Sequence, residues 1–363
     1  MINFTLDDFL SLSESEKLPH IKDYALLYSQ QFSRADLDEY CELADKCRAI
    51  FRDPRGAKFL AELLPHRVAL NFFVQPSSRT FLSFSAAQAL LGMKRMSLRD
   101  LNISSVSKGE SLEDSIRTFI SYVDLVVMRH HDDDAAATAF WVAVKAHRRI
   151  RINGIECPVP IVSGGSGSRQ HVTQSLLDIY TLTKSFEKLG GIDGKKIMLV
   201  GDLKRGRTVR SLSYLMKNYR NVSLYFAAPD KYQMKDDILE FLNANKIPFF
   251  ILKNITEVLP EVDAIYMTRI QDEWDDIKNG EHTPTSEEFI FKKEYLDQMK
   301  PTACLLHPLP KRDEIEDGVD YTNDPRVVYW RQERNGMWMR LGIIAKLFQC
   351  HNKIKDFDIR NLT

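Results

Sequence analysis

The stretch Ile197-Met-Leu-Val-Gly-Asp-Leu-Lys-Arg-Gly-Arg-Thr208 decides the fold class. An apolar run, a glycine turn and a hydroxyl ahead of a helical pattern over 208–218 read as strand, loop and helix. The same unit recurs on either side. Strands are expected at 68–73, 125–129, 160–163, 222–226, 247–252, 264–268, 303–307 and 327–330 besides 197–201. Helices are expected near 79–91, 112–122, 172–186, 235–245 and 336–348, and another starts after Ser33, a capping serine followed by Leu37, Cys41, Leu43, Cys47 and Ile50 at helical spacing. Such alternation is the pattern of parallel sheets covered by helices. The expected fold is α/β, with two doubly wound parallel-sheet lobes joined by helices.

Gly190, Gly191 and Gly194 break the chain between a long helix and a fresh strand. Residues 1–25 are therefore expected to form an N-terminal extension, 26–186 plus 336–363 one lobe, and 187–335 the other. Residues 132–157 begin acidic (Asp132-Asp-Asp) and end basic (His147-Arg-Arg-Ile-Arg), which reads as a solvated helix plus loop.

Composition narrows the class. The 363 residues carry 50 Lys+Arg against 50 Asp+Glu, for a net charge of zero, which argues against a generally basic nucleic-acid binder. Hydrophobic residues at 44% and charged residues at 28% exclude a disordered or fibrous chain. The five cysteines (Cys41, Cys47, Cys157, Cys304, Cys350) form no CxxC pair, which suits a reduced, intracellular protein. No long apolar run suggests a membrane span. Asp7, Asp8, Glu14 and Glu16 do not suit a signal peptide, so a cytoplasmic location is expected. No Cys/His spacing suggests a metal, and no cofactor is expected.

In open α/β sheets ligands bind beyond the carboxyl ends of strands. There this sequence places its cations and hydroxyls. Gln75-Pro-Ser-Ser-Arg-Thr80 leads from a strand into a helix; Ser77 and Ser78 suit either a plain cap or, with Arg79 and Thr80, an anion site. Arg129 ends the strand Leu125-Val-Val-Met-Arg, where a surface ion pair would be the ordinary explanation. A glycine-rich turn after residues 160–163 precedes His171 and Gln174, which share one helical face. Residues 201–208 spell GxxxxG followed by Arg-Thr. The phosphate loop of nucleotide-triphosphate binders needs Lys where Arg207 stands, so what remains is an arginine suited to gripping a carboxylate. Arg269 and Gln271 close a further strand, and His307-Pro-Leu-Pro310 closes another.

Taken in order, these blocks resemble the aspartate/ornithine carbamoyltransferase family, from about Leu27 to Phe348. The blocks are Ser77-Ser-Arg-Thr80, Lys108-Gly-Glu110, Val127-Met-Arg-His130, Gln170-His-Val-Thr-Gln174, Val200-Gly-Asp-Leu-Lys-Arg-Gly-Arg-Thr208, Tyr266-Met-Thr-Arg-Ile-Gln271 and His307-Pro-Leu-Pro-Lys-Arg-Asp-Glu-Ile315. The proline loop and Met267-Thr-Arg-Ile-Gln271 favour the aspartate branch. The resemblance implies transfer of a carbamoyl group from carbamoyl phosphate to L-aspartate in pyrimidine synthesis. It also implies roles. Ser77, Ser78, Arg79 and Thr80 would hold the phosphate, Arg129 would assist on phosphate and carbonyl oxygens, His171 would donate to the carbamoyl carbonyl, and Gln174 would hold its amine. Arg207, Arg269 and Gln271 would bind the aspartate carboxylates, with the carbonyls of Leu309 and Pro310 orienting amino groups. Arg79, Thr80, Arg129 and His171 would be the catalytic set. Ser104 and Lys108 would enter a neighbour's site in a homotrimer; regulatory or dihydroorotase partner chains stay open.

Several positions depart from the family pattern. Gln75 stands where glutamate is common, Phe81 replaces an arginine, Val172 a proline, Arg205 a tyrosine, and Trp274 an arginine. They keep open a carbamoyltransferase with a different amine substrate, and a non-catalytic homologue. A phosphate-binding nucleotide module at 201–208 is the reading from another class.

Overall fold

In both principal sheets every strand runs parallel to its neighbours, and each sheet reverses its strand order once. The computed structural model describes residues 4–21, 24–99, 109–271, 283–358 and 360. Chain contacts divide it into Met1–Leu176 with Arg334–Thr363, and Leu177–Glu333.

The first unit holds strands β1 (Ala25–Leu26), β2 (Val68–Phe73), β3 (Lys94–Leu98), β4 (Leu125–His130), β5 (Ile150–Ile152), β6 (Ile155–Cys157) and β7 (Ile161–Ser166). Its sheet has the order β1-β7-β4-β2-β3. β2 and β4 are buried almost throughout, as strands covered on both faces must be. β3 instead carries exposed Lys94, Arg95 and Met96 on the sheet edge, so it lacks the apolar run that marks an inner strand.

Helices α1 (Leu6–Ser11), α2 (Glu14–Ile21), α3 (Arg34–Ile50), α4 (Pro54–Ala61), α5 (Ser78–Leu90), α6 (Leu112–Tyr122) and α7 (Ala135–Lys145) belong to this unit. α3 opens on a capping box: the Ser33 hydroxyl accepts from Asp36 N–H and the Asp36 carboxylate accepts from Ser33 N–H. α8 (Val172–Ser185) carries the chain into the second unit. That unit contains β8 (Lys196–Val200), α9 (Arg207–Leu215), β9 (Ser223–Ala227), α10 (Asp236–Ala244), β10 (Phe249–Leu252), β11 (Ala264–Met267) and β12 (Cys304–Leu306). Its sheet order is β10-β9-β8-β11-β12, over a core that includes Met198, Val200, Ile265, Met267, Phe291 and Leu305. α11 (Tyr329–Leu347) returns the chain, and α12 (His351–Asp356) follows. Gly342 of α11 lies so close to Leu43 that an added Cβ would meet its side chain at 3.4 Å.

Two expectations need correction. Residues 327–330 are not a strand: Val327 makes only an isolated bridge to Leu305, and the chain then turns into α11, where Gln332 N–H donates to Val328 O (2.7 Å). Residues 132–157 are not a solvated helix plus loop. α7 buries Ala135, Ala139, Phe140 and Ala143, and an antiparallel hairpin β5–β6 follows, turning on Asn153 and Gly154 at φ 48° and 83°. Within the N-terminal extension α1 packs on α7. Phe9 of α1 is fully buried with its ring 6.2 Å from Phe140, and Trp141 Nε1 donates to Phe4 O (3.2 Å).

Candidate active site

A doubly wound sheet opens a crevice where its strand order reverses, beyond the carboxyl ends of the flanking strands. In the first unit the reversal lies between β2 and β4, because β3 is added on one side of β2 and β4 on the other. The loop after β2 and the last residues of β4 and β7 converge there. Val74 and Gln75 N–H groups donate to the Arg129 carbonyl (2.9 and 3.2 Å), locking the first two together.

Arg129, on the last turn of pleat in β4, is only 7% exposed. Its Nη1 donates to Gly164 O (2.9 Å) and lies 3.3 Å from His171 Nε2, which is also 3.5 Å from the Thr80 hydroxyl. An arginine can only donate, so Nε2 accepts in this arrangement. Thr80 and His171 are likewise buried, at 4% and 5%. Gly164 permits this approach: a Cβ there would stand 3.3 Å from Met128 O and 3.4 Å from Thr80 Cγ2. Ser77 precedes α5, but its hydroxyl makes no cap; it donates to Thr80 Oγ1 (3.1 Å). The helix N-terminus therefore keeps its anion-binding character, reinforced by Ser78 and half-buried Arg79 on the first turn. Gln174 is buried one turn into α8, where its N–H donates to His171 O (2.9 Å). The structure thus brings together Ser77, Ser78, Arg79, Thr80, Arg129, His171 and Gln174.

In the second unit the reversal lies between β8 and β11. Gly201, at φ 106°, lets the ends of these strands touch, since a Cβ would fall 2.0 Å from Thr268 O. Thr268 N–H and Oγ1 both donate to Val200 O (2.8 and 2.7 Å). Arg207 starts α9, and half-buried Arg269 and Gln271 follow β11. Arg269 Nη1 donates to Ile270 O (2.9 Å). Sequence reasoning missed the residue that holds this edge, fully buried Asp202. Its carboxylate accepts from Arg205 Nε (2.7 Å), Arg205 N–H (3.1 Å) and Gln271 N–H (3.1 Å). Arg205 also lies over the Tyr232 ring (4.9 Å).

The proline loop after β12 has its own buried support. His307 Nε2 meets Glu314 Oε1 at 2.6 Å, and Leu309 N–H donates to His307 Nδ1 (2.7 Å). Because Nδ1 accepts, the ring proton sits on Nε2 and is donated to Glu314. The loop holds Leu309 at φ 56° ahead of a cis bond to Pro310. A buried chain continues from His307 N–H to Gln332, from Gln332 to Asp178, and from Tyr266 OH to Asp178 (2.9, 2.7 and 2.8 Å). Glu314 falls within the last sequence block, but its role, like that of Asp178, is visible only in the packing.

Phe81, another of the departures, sits edge-on to Phe73 (5.5 Å) with the Arg99 guanidinium over its ring (4.5 Å). Ser104, Lys108 and Trp274 lie outside the described residues. Among those residues no group of His, Cys, Asp and Glu is arranged to hold a metal, and no helix is long and apolar enough to cross a membrane.

Comparison with known proteins agrees in both units. Residues 25–184 match the aspartate/ornithine carbamoyltransferase carbamoyl-P binding domain, and 193–347 the Asp/Orn binding domain of the same family. A chloroplastic aspartate carbamoyltransferase of Oryza sativa is 38% identical over 89% of this chain and 84% of its own. The aspartate carbamoyltransferase catalytic subunit of Methanocaldococcus jannaschii is 36% identical over 86% and 94%. Among solved structures, aspartate transcarbamoylase of Trypanosoma cruzi with carbamoyl aspartate and phosphate has a TM-score of 0.74 at 34% identity, covering 90% of this chain and 96% of that one.

Proposed function

The chain belongs to the aspartate/ornithine carbamoyltransferase family, and from that premise we propose that it transfers the carbamoyl group of carbamoyl phosphate to the amine of L-aspartate, giving N-carbamoyl-L-aspartate and phosphate. The observation that carries the reading is the buried contact of Arg129 with His171, beside Thr80, at a strand-order reversal.

The chemistry follows from charge. Carbamoyl phosphate and aspartate repel one another, so fixed cations are needed to bring carbon and nitrogen within bonding distance. Ser77, Ser78, Arg79 and Thr80 hold the phosphate in the proposed site. The amine attacks the carbamoyl carbon, a C–N bond forms, and negative charge gathers on the carbonyl oxygen. Arg129, Thr80 and His171 stabilise that charge in the proposed site. For His171 to donate, its proton must sit on Nε2, and Arg129 must then turn its N–H to the substrate. Collapse breaks the C–O bond to phosphate, which leaves with the electron pair and takes the amine proton. Gln174 holds the carbamoyl amine. Arg207, Arg269 and Gln271 take the carboxylates of aspartate, and the carbonyls of Leu309 and Pro310 its amino group. A role in pyrimidine biosynthesis, a cytoplasmic location and a homotrimer in which Ser104 and Lys108 reach a neighbour's site complete the proposal.

The test offers carbamoyl phosphate with aspartate or, separately, ornithine. Carbamoyl aspartate should form, from a species sedimenting as a trimer. Turnover with ornithine alone would overturn the substrate, and no turnover on either amine would overturn the enzyme.

A further inference from the structure

We infer that the segment ahead of the family match acts on the carbamoyl-phosphate site: Glu14 is a positioning residue that holds Gln170, and with it the backbone from which His171 projects. The inference rests on the role of His171 proposed above. Glu14 opens α2, upstream of residue 25, where the family match begins.

Gln170 is 4% exposed, and its side chain is held from three directions. Its Oε1 accepts from Ser29 N–H (2.7 Å). Its Nε2 donates to Glu14 Oε2 (2.6 Å) and to Gln30 Oε1 (2.7 Å), which uses both amide protons. Gln30 Nε2 donates to the same Glu14 oxygen (2.7 Å), so one carboxylate oxygen joins both amides. The backbone does less at this point, where Ser166 N–H reaches Gln170 O only at 3.4 Å. The side-chain network therefore supplies much of what fixes the residue before His171.

α2 is itself a firm base. Lys17 is buried, its Nζ donating to Leu10 O (2.9 Å) and standing 4.0 Å from Asp134. Next to Gln170 in the chain, Arg169 pairs with Asp133 (3.2 Å) and with Asp134 (3.1 Å), the carboxylate that Lys17 also approaches. The glycine-rich loop is thus tied at both Arg169 and Gln170, the two residues preceding His171. Loss of Glu14 leaves a buried amide N–H without its charged acceptor, and Gln170 must shift to regain one. Small displacements matter for a ring that has to meet a carbonyl oxygen at hydrogen-bond distance.

Steady-state kinetics on the full chain test this. Glu14→Ala should raise KM for carbamoyl phosphate about tenfold, as loss of an outer-shell support does elsewhere. KM for aspartate should stay within about twofold, since its proposed ligands are on another unit. Glu14→Gln should recover most of the loss, because one amide oxygen can accept from both Gln30 and Gln170. Gln30→Leu should shift the same constant in the same direction, and it carries the test if Glu14→Ala does not fold. An unchanged carbamoyl-phosphate KM in the folded variant, or a loss that Glu14→Gln does not reverse, overturns the inference and leaves the reaction standing. No turnover by the unmodified chain overturns both.

Discussion

At the β2/β4 reversal buried groups of the proposed site already touch one another, while at the β8/β11 reversal Asp202 and Thr268 order the strand ends that the proposed groups follow. Arg129, His171 and Thr80 are buried and within 3.5 Å of their partners in the set. Arg207, Arg269 and Gln271 are half-buried, and the order at their edge comes from Asp202 and Thr268. One topology has been used twice, with a buried arginine at one reversal and half-buried arginines after the strand ends at the other. A small anion of fixed shape suits a rigid cage. An amino acid with two carboxylates and an amine needs contacts from several loops.

The comparison breaks most directly at Arg129. Arg129→Ala should lower kcat about 10²–10³-fold, the usual effect of losing one donor to a developing oxyanion (about 2.7–4 kcal/mol). Circular dichroism should show the fold retained. A loss below about tenfold in folded protein would mean that the buried cage is structural support and that stabilisation of the reacting carbonyl lies elsewhere.

A smaller effect tests the frame rather than the site. Glu39 on α3 takes an ion pair from Lys355 of α12 (2.5 Å) and another from Lys346 of α11. Burial alone would raise its carboxyl, but the two ammonium groups outweigh that and hold it at about 2, against an ordinary 4.5. A carboxyl with a lowered folded pKa stabilises the protein above its unfolded value. That contribution fades as pH falls from about 4.5 to about 2. Glu39→Gln should therefore cost about 1 kcal/mol at pH 7 in denaturant titrations, with the difference shrinking toward pH 2 and turnover unchanged. An equal deficit at both ends of that range would show that the pair contributes through packing rather than charge.

The inner strands were legible because doubly covered strands are continuous apolar runs, as in Leu125-Val-Val-Met and Ile197-Met-Leu-Val. β3 was not, since its charged Lys94-Arg95 start belongs to an edge. The β5–β6 hairpin carried the strong signal Asn153-Gly154, and the run of charges before it drew the reading toward a loop. α7 is alanine-rich, and alanine gives little amphipathic contrast even when buried. The groups proposed to face substrate could be read from strand ends. The groups behind them could not: Asp202 and the His307–Glu314 pair act through contacts that appear only when loops fold back. Glu14 lies still further out, 156 positions from the glutamine it holds.

The central proposal is that residues of the first unit recognise carbamoyl phosphate and cations of the second recognise aspartate. Carbamoyl-phosphate affinity of Arg269→Ala, measured by calorimetry beside its turnover with aspartate, tests this most directly. The account predicts a Kd within about twofold of the unmodified chain and a rise of at least about tenfold in KM for aspartate. A loss of carbamoyl-phosphate affinity as large as the loss of aspartate binding would contradict it.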